Sequence, residues 1–298
     1  MNFSEKLKSK RKEFGMSQEQ LAEKIGVSRQ AITKWETDGG LPDIENILSI
    51  ASLFGVTVDA LLSSNQLPHR SGFFYNSTTE YDIDSPKHFD INIGGAYEIA
   101  VTGHVGEKLH IQLASNTIAS IEQLLKVKID DGKSNIDVDI RRGDGLSEAQ
   151  AKETLYVLIN IPTRYITQAE LSGQTRNLRI TDMKAETITF EGQTHYVQIG
   201  DVQGLVELDC SSDMTVVCTN LSGGIDINQI SATSTIHLPR ATGYQLKKKR
   251  DSNRVRYTLD GVETEAPAYP DATNTLTLSG LNVELVINEC SNITEVIQ

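Results

Sequence analysis

The chain is poor in the residues and motifs that build metal, redox and catalytic centres. Its 298 residues include three cysteines, and no two of these have the Cys-x-x-Cys spacing of zinc and disulfide-exchange sites. The six histidines are scattered, without a His-Glu-x-x-His pair, and no Walker loop, Gly-x-Gly-x-x-Gly or Gly-x-Ser-x-Gly motif occurs. We therefore predict that the protein is not an enzyme and holds no metal and no cofactor.

Long hydrophobic runs are also missing. No uninterrupted apolar stretch approaches the roughly 20 residues that span a bilayer, and the charged N-terminus lacks the apolar segment of a secretory signal. The net charge is −12 and 38% of the residues are hydrophobic, as is typical of a globular chain. Because the sparse cysteines also agree with a reducing compartment, we expect a cytoplasmic protein without membrane contact.

Residues 17–36 form the most informative stretch of the sequence. Ser17 and Gln20 have the spacing of a capping box, which predicts a helix that begins at Gln18. Gly26 can adopt the left-handed conformation that ends this helix, and Ser28 is placed to cap the next one. Two capped helices joined by a short glycine turn indicate a helix-turn-helix.

The second of these helices has two different faces. Ile32 and Trp35 are predicted to point inward. The outward face is polar and consists of Arg29, Gln30, Thr33 and Lys34. An arginine can pair in two places with a guanine edge and a glutamine with an adenine edge, so this face is suited to base recognition. The alternative is an ordinary solvated helix face, which the two caps and the glycine turn make the weaker interpretation.

Residues 1–62 resemble the five-helix domain of Cro/CI-type phage repressors and of the bacterial XRE family that shares it. The predicted buried residues of the first helix are Phe3, Leu7 and Phe14. Those of the fourth helix are Ile44, Ile47, Leu48, Ala51 and Phe54, and residues 58–62 are predicted to form a short fifth helix.

This resemblance implies where DNA is contacted. It places Gln18 against the DNA backbone or a base, puts Arg29, Gln30 and Lys34 in the major groove, and implies an ion pair between Arg11 and Glu36. The predicted DNA-binding residues are Gln18, Ser28, Arg29, Gln30, Thr33 and Lys34. The loop of residues 37–40 departs from the family because it has no lysine or arginine to hold phosphate.

Charge is unevenly distributed along this region. Residues 1–34 contain all eight Lys and Arg of residues 1–65 against four Asp and Glu, and residues 37–65 contain acids only. A local positive face is therefore predicted to meet phosphate, while the acidic remainder of the chain would repel nonspecific DNA. Weak nonspecific binding and dependence on a dimer would follow.

The composition predicts three segments. We expect a DNA-binding domain at residues 1–66, a linker at 67–87 and an all-β domain at 88–298, because the helical period ends near residue 63 and alternation of period two begins near residue 88. The linker holds Phe73, Phe74, Tyr75 and Tyr81. Freely solvated linkers rarely contain four aromatic residues, so docking onto the second domain is favoured over docking onto the first domain or a partner chain.

Short hydrophobic pairs recur from residue 169 onward. One series begins at Ala169, Ile188, Val206 and Ile225, and an interleaved series begins at Leu178, Val197, Val216 and Ile236. Successive members are 18 to 20 residues apart. Two short strands per repeat predict a β-solenoid, in which each coil buries its inward face against its neighbours. The alternative is an antiparallel β-sandwich, whose hairpins have a similar spacing.

Residues from about 97 to 297 are similar to bacterial adhesin-like β-solenoid domains. This resemblance rests on the strand rhythm and implies a fold without a biochemical role. Cys210 and Cys218 occupy inward positions and are predicted to pack in the core, whereas the role of Cys290 stays open. His104 and His110 are predicted to be surface residues in preference to a metal site. The basic cluster within residues 247–256 is predicted to be solvated, with a second DNA contact or an acidic partner as the alternative.

These patterns predict a helical domain followed by an all-β domain, with a role in transcription. We expect a sequence-specific regulator, a repressor in preference to an activator, that binds a palindromic operator in double-stranded DNA as a homodimer. The β domain would supply oligomerisation, sensing of a small-molecule or protein effector, or both. The alternative is a protein-interaction or antitoxin-like module that uses the helical fold to bind a protein.

Overall fold

The computed structural model describes residues 3–37, 40–54, 73–240, 242–293 and 296. The chain folds into two compact units, residues 1–71 and 72–298. The first unit is helical and the second is built mainly of β-strands. Within the described ranges, no helix has the length and apolar character needed to cross a bilayer.

Four helices are described in the first unit. They are α1 Phe3–Glu13, α2 Gln18–Ile25, α3 Arg29–Glu36 and α4 Ile44–Phe54. The predicted capping box is confirmed, because the Ser17 amide donates to Gln20 Oε1 over 2.8 Å and the Gln20 amide donates to Ser17 Oγ over 3.1 Å. Gly26 ends α2 with φ at 73°. The predicted fifth helix, residues 58–62, lies outside the described residues.

A small apolar core joins these helices. Its buried members are Phe3, Leu7, Leu21, Ala22, Ile32, Trp35, Ile50, Ala51 and Phe54. The prediction for α4 is wrong at Leu48, whose surface is 54% exposed, while Ile50 is fully buried. Residues 47, 50, 51 and 54 share one face of a helix with 3.6 residues per turn, and residue 48 lies beside that face. Phe14 is 46% exposed, although its ring contacts Phe54 with centroids 5.2 Å apart.

The described residues of the second unit form strands β1 to β18 and two short helices. The first nine strands are β1 Tyr75–Asp82, β2 Lys87–His104, β3 Lys108–Ser115, β4 Leu125–Asp131, β5 Asn135–Arg142, β6 Tyr156–Pro162, β7 Ile166–Thr181, β8 Lys184–Gln193 and β9 Tyr196–Gly200. The others are β10 Val202–Cys210, β11 Thr215–Cys218, β12 Leu221–Asn228, β13 Thr233–Pro239, β14 Tyr244–Lys248, β15 Arg254–Leu259, β16 Val262–Thr264, β17 Asn274–Leu278 and β18 Glu284–Cys290. The helices are α5 Ile121–Leu124 and α6 Glu148–Thr154.

The strands form two ladders of neighbours. The first ladder runs in space through β4, β5, the first half of β2, the first half of β7, β8, β10, β12, β17 and β14. The second runs through β1, β3, β6, the second half of β2, the second half of β7, β9, β11, β13, β18, β15 and β16. Neighbours are parallel in both ladders except in the antiparallel pairs at their ends, β4–β5, β1–β3, β3–β6 and β15–β16.

The repeat register predicted from the hydrophobic pairs is confirmed. In the first ladder, Ile188 pairs with Ala169 on one side and Val206 on the other, and Val206 pairs with Ile225. In the second ladder, Val197 pairs with Leu178 and Val216, and Val216 pairs with Ile236. The inward side chains of both ladders belong to one continuous apolar core. An antiparallel sandwich would instead pair successive strands antiparallel.

The order of strands in space differs from their order along the chain at both ends of the ladders. Strand β2 lies between β5 and β6 on one side and β7 on the other. Strands β17 and β18 lie between the pair β12 and β13 and the pair β14 and β15. The strands β14 and β15, together with their connecting turn, form what we call the terminal coil.

Part of the predicted linker belongs to the β unit. Residues 75–82 form β1, which pairs antiparallel with β3 along its whole length, and Lys87 begins β2. The ring of Phe73 contacts that of Tyr156 with centroids 4.6 Å apart, and Tyr81 packs against the core. The predicted docking onto the second domain is therefore seen for Phe73 and Tyr81, whereas Phe74 is 81% exposed and Tyr75 is 39% exposed.

Candidate nucleic-acid interface

The helix α3 is held with one face inward and one face in solvent. The Ala31 amide donates to the Ser28 side chain over 3.2 Å, so Ser28 caps the N-terminus as the sequence predicts. Ile32 is fully buried and Trp35 is 7% exposed. Since the cap sets the start of the helix and these two apolar side chains set its rotation, the polar face of α3 is oriented outward.

A buried ion pair connects α1 to α3, as the family resemblance implies. Arg11 Nε donates to Glu36 Oε1 over 2.5 Å and Arg11 Nη2 donates to Glu36 Oε2 over 2.9 Å. Arg11 Nη1 also donates to the Met16 carbonyl over 2.7 Å. This two-pronged geometry fixes α1 and the turn before α2 relative to the last residue of α3.

The charge of Glu36 is stabilised within this contact. Burial by itself raises the pKa of Glu36, but hydrogen bonds from Arg11 and Gln18, together with the charges of Arg11 and Lys8, outweigh burial and lower the pKa. The hydrogen bond to Glu36 raises the pKa of Arg11. Both groups are therefore ionised near neutral pH.

Two of the predicted DNA-binding residues are connected to this ion pair. Gln18 Nε2 donates to Glu36 Oε2 over 2.9 Å, and Gln18 Oε1 lies 3.2 Å from Thr33 Oγ1, which donates the hydrogen. The Thr33 hydroxyl also lies 3.1 Å from the Arg29 carbonyl. The amide of Gln18 is thus oriented at the junction of α2 and α3, next to the exposed face of α3.

The remaining polar residues of α3 form what we call the recognition face, which consists of Arg29, Gln30 and Lys34. All three are exposed. The nearest acid to Arg29 is Glu19, with Nε and Oε2 3.9 Å apart and with side chains that are 64% and 74% exposed. Such a solvent-exposed pair contributes little, so it leaves Arg29 available to another partner.

The structure also places the cysteines and histidines that the sequence singled out. Cys210 and Cys218 are buried in the core, as predicted, and burial raises the pKa of both thiols to about 12. The rings of His104 and His110 meet edge to face with centroids 5.3 Å apart. In the described parts of the chain, no group of three or more His, Cys, Asp or Glu side chains is arranged to hold a metal ion.

The basic cluster of residues 247–256 lies on the terminal coil. Its lysines and arginines are exposed, and two of them pair with acids: Lys249 with Asp226 at 3.1 Å and Arg256 with Glu284 at 2.7 Å. The cluster begins in the last two residues of β14, whose only pairing in the described residues is with β17, and ends in β15. Lysines on an edge strand oppose pairing with other sheets.

One cluster was not found from the sequence. His237 Nδ1 lies 3.0 Å from Asn288 Nδ2 and 3.7 Å from Cys290 Sγ. Because the amide donates to this ring nitrogen, His237 is neutral at Nδ1, and burial lowers the pKa of His237 and raises that of Cys290. A neutral imidazole beside a protonated thiol is not an activated nucleophile. The cluster forms because β13 and β18 pair across 51 residues of sequence, so spacing along the chain gave no signal.

The comparisons with known proteins concern each unit separately. Residues 7–61 match the family model HTH_3, described as helix-turn-helix. The HTH-type transcriptional activator BcrR of Enterococcus faecalis is 48% identical over 67 residues, which is 22% of this chain and 33% of that protein. The CTXphi phage repressor RstR of Vibrio cholerae is 36% identical over 61 residues, 20% of this chain and 54% of that protein. The immunity repressor of Bacillus phage phi105 is 32% identical over 83 residues, 28% and 58% of the two chains.

The C-terminal part is similar to solved structures at low identity. A proposed cell adhesion protein from Clostridium sporogenes matches 73% of this chain and 100% of its own, with 10% identity and a TM-score of 0.34. A proposed adhesin from Bacteroides fragilis matches 72% of this chain and 97% of its own, with 13% identity and a TM-score of 0.35.

The matches to these curated relatives cover 20 to 28% of this chain and between a third and about three fifths of the relatives' own length. The capped α2 and α3 and the glycine turn between them are the features predicted from the residues, and the Arg11–Glu36 pair is the one that the family resemblance implies. Residues 7–61 of this chain therefore form a helix-turn-helix domain that is similar to those of Cro/CI-type (XRE) regulators.

Proposed function

We propose that this protein is a sequence-specific DNA-binding transcriptional regulator. The observation that carries the proposal is the arrangement of α3, whose inward face is anchored by Ile32, Trp35 and the Glu36 ion pair, and whose recognition face is exposed. An anchored helix with an exposed polar face can enter the major groove without reorganising its own domain. A regulator of chromosomal DNA would act in the cytoplasm.

Each residue of the interface has a role that its chemistry supports. We assign Arg29 to a guanine edge and Gln30 to an adenine edge, because their donors and acceptors match those edges in pairs. Lys34, one turn further, supplies a point charge for a phosphate or a guanine. Gln18, held between Glu36 and Thr33, and the amides next to Ser28 at the start of α3 position the domain on the backbone.

The assembly follows from the size of one such domain. A single helix-turn-helix contacts too little DNA to select one site in a genome, whereas two domains on a two-fold axis contact half-sites about one helical turn apart. We therefore propose a homodimer on a palindromic operator, held mainly by residues 88–298. Repression is the proposed outcome, as in the phage relatives; BcrR is an activator, and a reporter gene behind the selected operator distinguishes the two.

We infer that the β unit is a β-solenoid. The inference is supported by the two parallel ladders, whose successive strands pair at the repeat positions predicted from the sequence. Its outward positions contribute acids that are neighbours in register, such as Asp137, Asp90 and Glu170 in the first ladder. Acids stacked at this spacing repel phosphate, so we assign DNA contact to the helical unit alone.

The proposal is tested by selecting binding sites from random duplex DNA with the full-length protein. The Arg29→Ala and Gln30→Ala variants should each lose about 1 to 3 kcal/mol of specific affinity and relax base preference at one position per half-site. Lys24→Ala is the matched control, because it removes a charge from the exposed end of α2 while leaving the recognition face intact. Lys24→Ala should change the affinity for every DNA sequence by the same factor, and its affinity should depend less on salt than that of the wild type.

Two outcomes would contradict the proposal. If Arg29→Ala and Gln30→Ala select the wild-type operator with wild-type affinity, α3 is not the recognition helix. If the wild-type chain selects no DNA sequence at physiological salt, where nonspecific binding is weak, the proposal fails and the alternative of a protein-binding module is favoured.

A further inference from the structure

A charged residue occupies an inward position at the end of the β unit. In β18, Leu285 and Ile287 are fully buried in the core, and Glu289 follows them with the same parity. Its register neighbours on the two adjacent strands are Leu238 and Leu259. Glu289 therefore interrupts a column of aliphatic side chains, and a local break in the hydrophobic pattern is expected at sites with a function.

A cavity opens beside Glu289. Its volume is about 390 Å³, and it lies between the terminal coil and the segment of residues 264–269. The lining includes Tyr257, Leu259, Tyr269, Ile287, Glu289 and Arg240. The volume and the mixture of apolar walls with a few polar groups are typical of sites for small molecules.

Tyrosine side chains surround the carboxylate. The hydroxyl of Tyr269 donates to Glu289 Oε1 over 2.7 Å, and the ring of Tyr269 contacts that of Tyr244 with centroids 5.5 Å apart. Burial, the hydrogen bond to Glu289 and the Glu289 charge raise the pKa of Tyr269 to about 12. Tyr244 is 7% exposed, so its side chain is buried close to Glu289. Burial and then the nearby Glu289 charge raise the pKa of Tyr244.

Among the described residues, no cation pairs with Glu289. Arg240 is exposed, its backbone amide donates to the Cys290 carbonyl, and no ion pair joins Glu289 to any lysine, arginine or histidine of the described chain. A carboxylate that accepts a hydrogen bond from one tyrosine hydroxyl, in a cavity that two tyrosine side chains help to line, has the features that bind an ammonium group.

We propose that this cavity is a binding site for a small organic amine with an apolar body. The ammonium group would contact the Glu289 carboxylate and the face of Tyr257 or Tyr269, and the apolar body would lie against Leu259, Ile287 and Pro267. All residues that line the cavity belong to the β unit. The test of amine binding is therefore independent of the test of DNA binding.

The test compares a charged and a neutral probe of the same shape. Binding of 2-phenylethylammonium and of 2-phenylethanol to the full-length protein is measured by isothermal titration calorimetry and by ligand-observed NMR. The amine should bind at least about tenfold more tightly than the alcohol, because only the amine forms the charged hydrogen bond.

Two substitutions locate the site. Glu289→Gln keeps the shape and an acceptor for Tyr269 but removes the charge, and it should weaken the amine at least about tenfold while leaving the alcohol unchanged. Tyr257→Leu keeps an apolar wall without an aromatic face and should weaken the amine several-fold. Glu284→Gln is the control, since Glu284 lies on the same strand and pairs with Arg256. Circular dichroism melting confirms that each variant is folded.

Three results would overturn the proposal. They are equal binding of amine and alcohol, amine binding by Glu289→Gln that matches the wild type, and no binding of the amine at millimolar concentration. If Glu289→Gln does not fold, Tyr257→Leu decides the matter by the same comparison of amine with alcohol.

Discussion

The inward register of the second ladder is tested by placing a carboxylate on either side of one strand. Ile199 in β9 is fully buried, and its register neighbours Ile180 and Cys218 are fully buried as well. Gln198, one residue earlier, is half-buried on the opposite face, beside Arg179. We compare Ile199→Asp with Gln198→Asp, which introduce the same chemical group at adjacent positions.

The expected cost follows from what each side chain touches. Ile199→Asp removes a buried aliphatic side chain, which costs about 2 to 5 kcal/mol, and leaves a carboxylate between Ile180 and Cys218 without a partner, which adds several kcal/mol more. The sum is comparable to the roughly 5 to 15 kcal/mol that stabilises a typical domain. Gln198→Asp places the carboxylate on the outward face of β9, at a half-buried position whose register neighbour is Arg179, so we expect a change of about 1 kcal/mol or less.

Two optical signals separate the two units. Far-UV circular dichroism follows the strands, while Trp35, the single tryptophan, follows the helical unit. Ile199→Asp should abolish or strongly lower the β transition in urea and leave the Trp35 transition near its wild-type position. The inward register is refuted if Gln198→Asp proves the more damaging change. Loss of the Trp35 transition together with the β signal would show that the units do not unfold independently.

Other predictions concern the buried ion pair and the thiols. Arg11→Met should destabilise the helical unit by about 3 to 5 kcal/mol in urea melts followed by Trp35, because the buried Glu36 carboxylate loses its partner; wild-type stability in that variant would contradict the pairing. Since the folded pKa of Glu36 lies below the ordinary value of 4.5, its stabilisation is complete above that pH and is lost as the pH falls through the folded value. Glu36→Gln should therefore show less acid destabilisation than the wild type between pH 6 and about pH 3, and equal acid sensitivity would count against it. Burial raises the pKa of Cys210 and Cys218 to about 12, so a thiol reagent at pH 8 should label them only after unfolding; rapid labelling of the native protein would show that they are not in the core.

Local features of the helical unit follow directly from the sequence. The start of α2 at Gln18, its stop at Gly26 and the cap of α3 at Ser28 depend on residues no more than three apart, so spacing alone predicts them. The α4 face shows the limit of this approach. Leu48 and Ile50 are similarly hydrophobic, and the sequence prediction chose Leu48, although residue 50 shares the face of residues 47, 51 and 54 and is the buried one.

In the β unit as well, the sequence predicts some features and leaves others undetermined. The alternation of hydrophobic residues and their 18 to 20 residue recurrence were sufficient for the register between neighbouring strands from β7 to β13, because each inward side chain must meet another. The sequence did not predict that β2 lies between β5 and β7. It also did not predict that β17 and β18 lie between the pair β12 and β13 and the terminal coil. These strands pair with segments that are far away in the sequence. The alternation of hydrophobic and polar residues in a strand is the same whichever strand it pairs with, so it does not predict the partner.

One candidate site could be predicted from the sequence and the others could not. The polar face of α3 is visible in the sequence because a helix of known rotation determines which side chains point outward. The cavity around Glu289 depends on β15, β18 and the segment of residues 264–269, and the His237, Asn288 and Cys290 cluster depends on β13 pairing with β18. Periodicity along one strand gives the face of each side chain but not its neighbours across the sheet, so these contacts were decided by the tertiary structure alone.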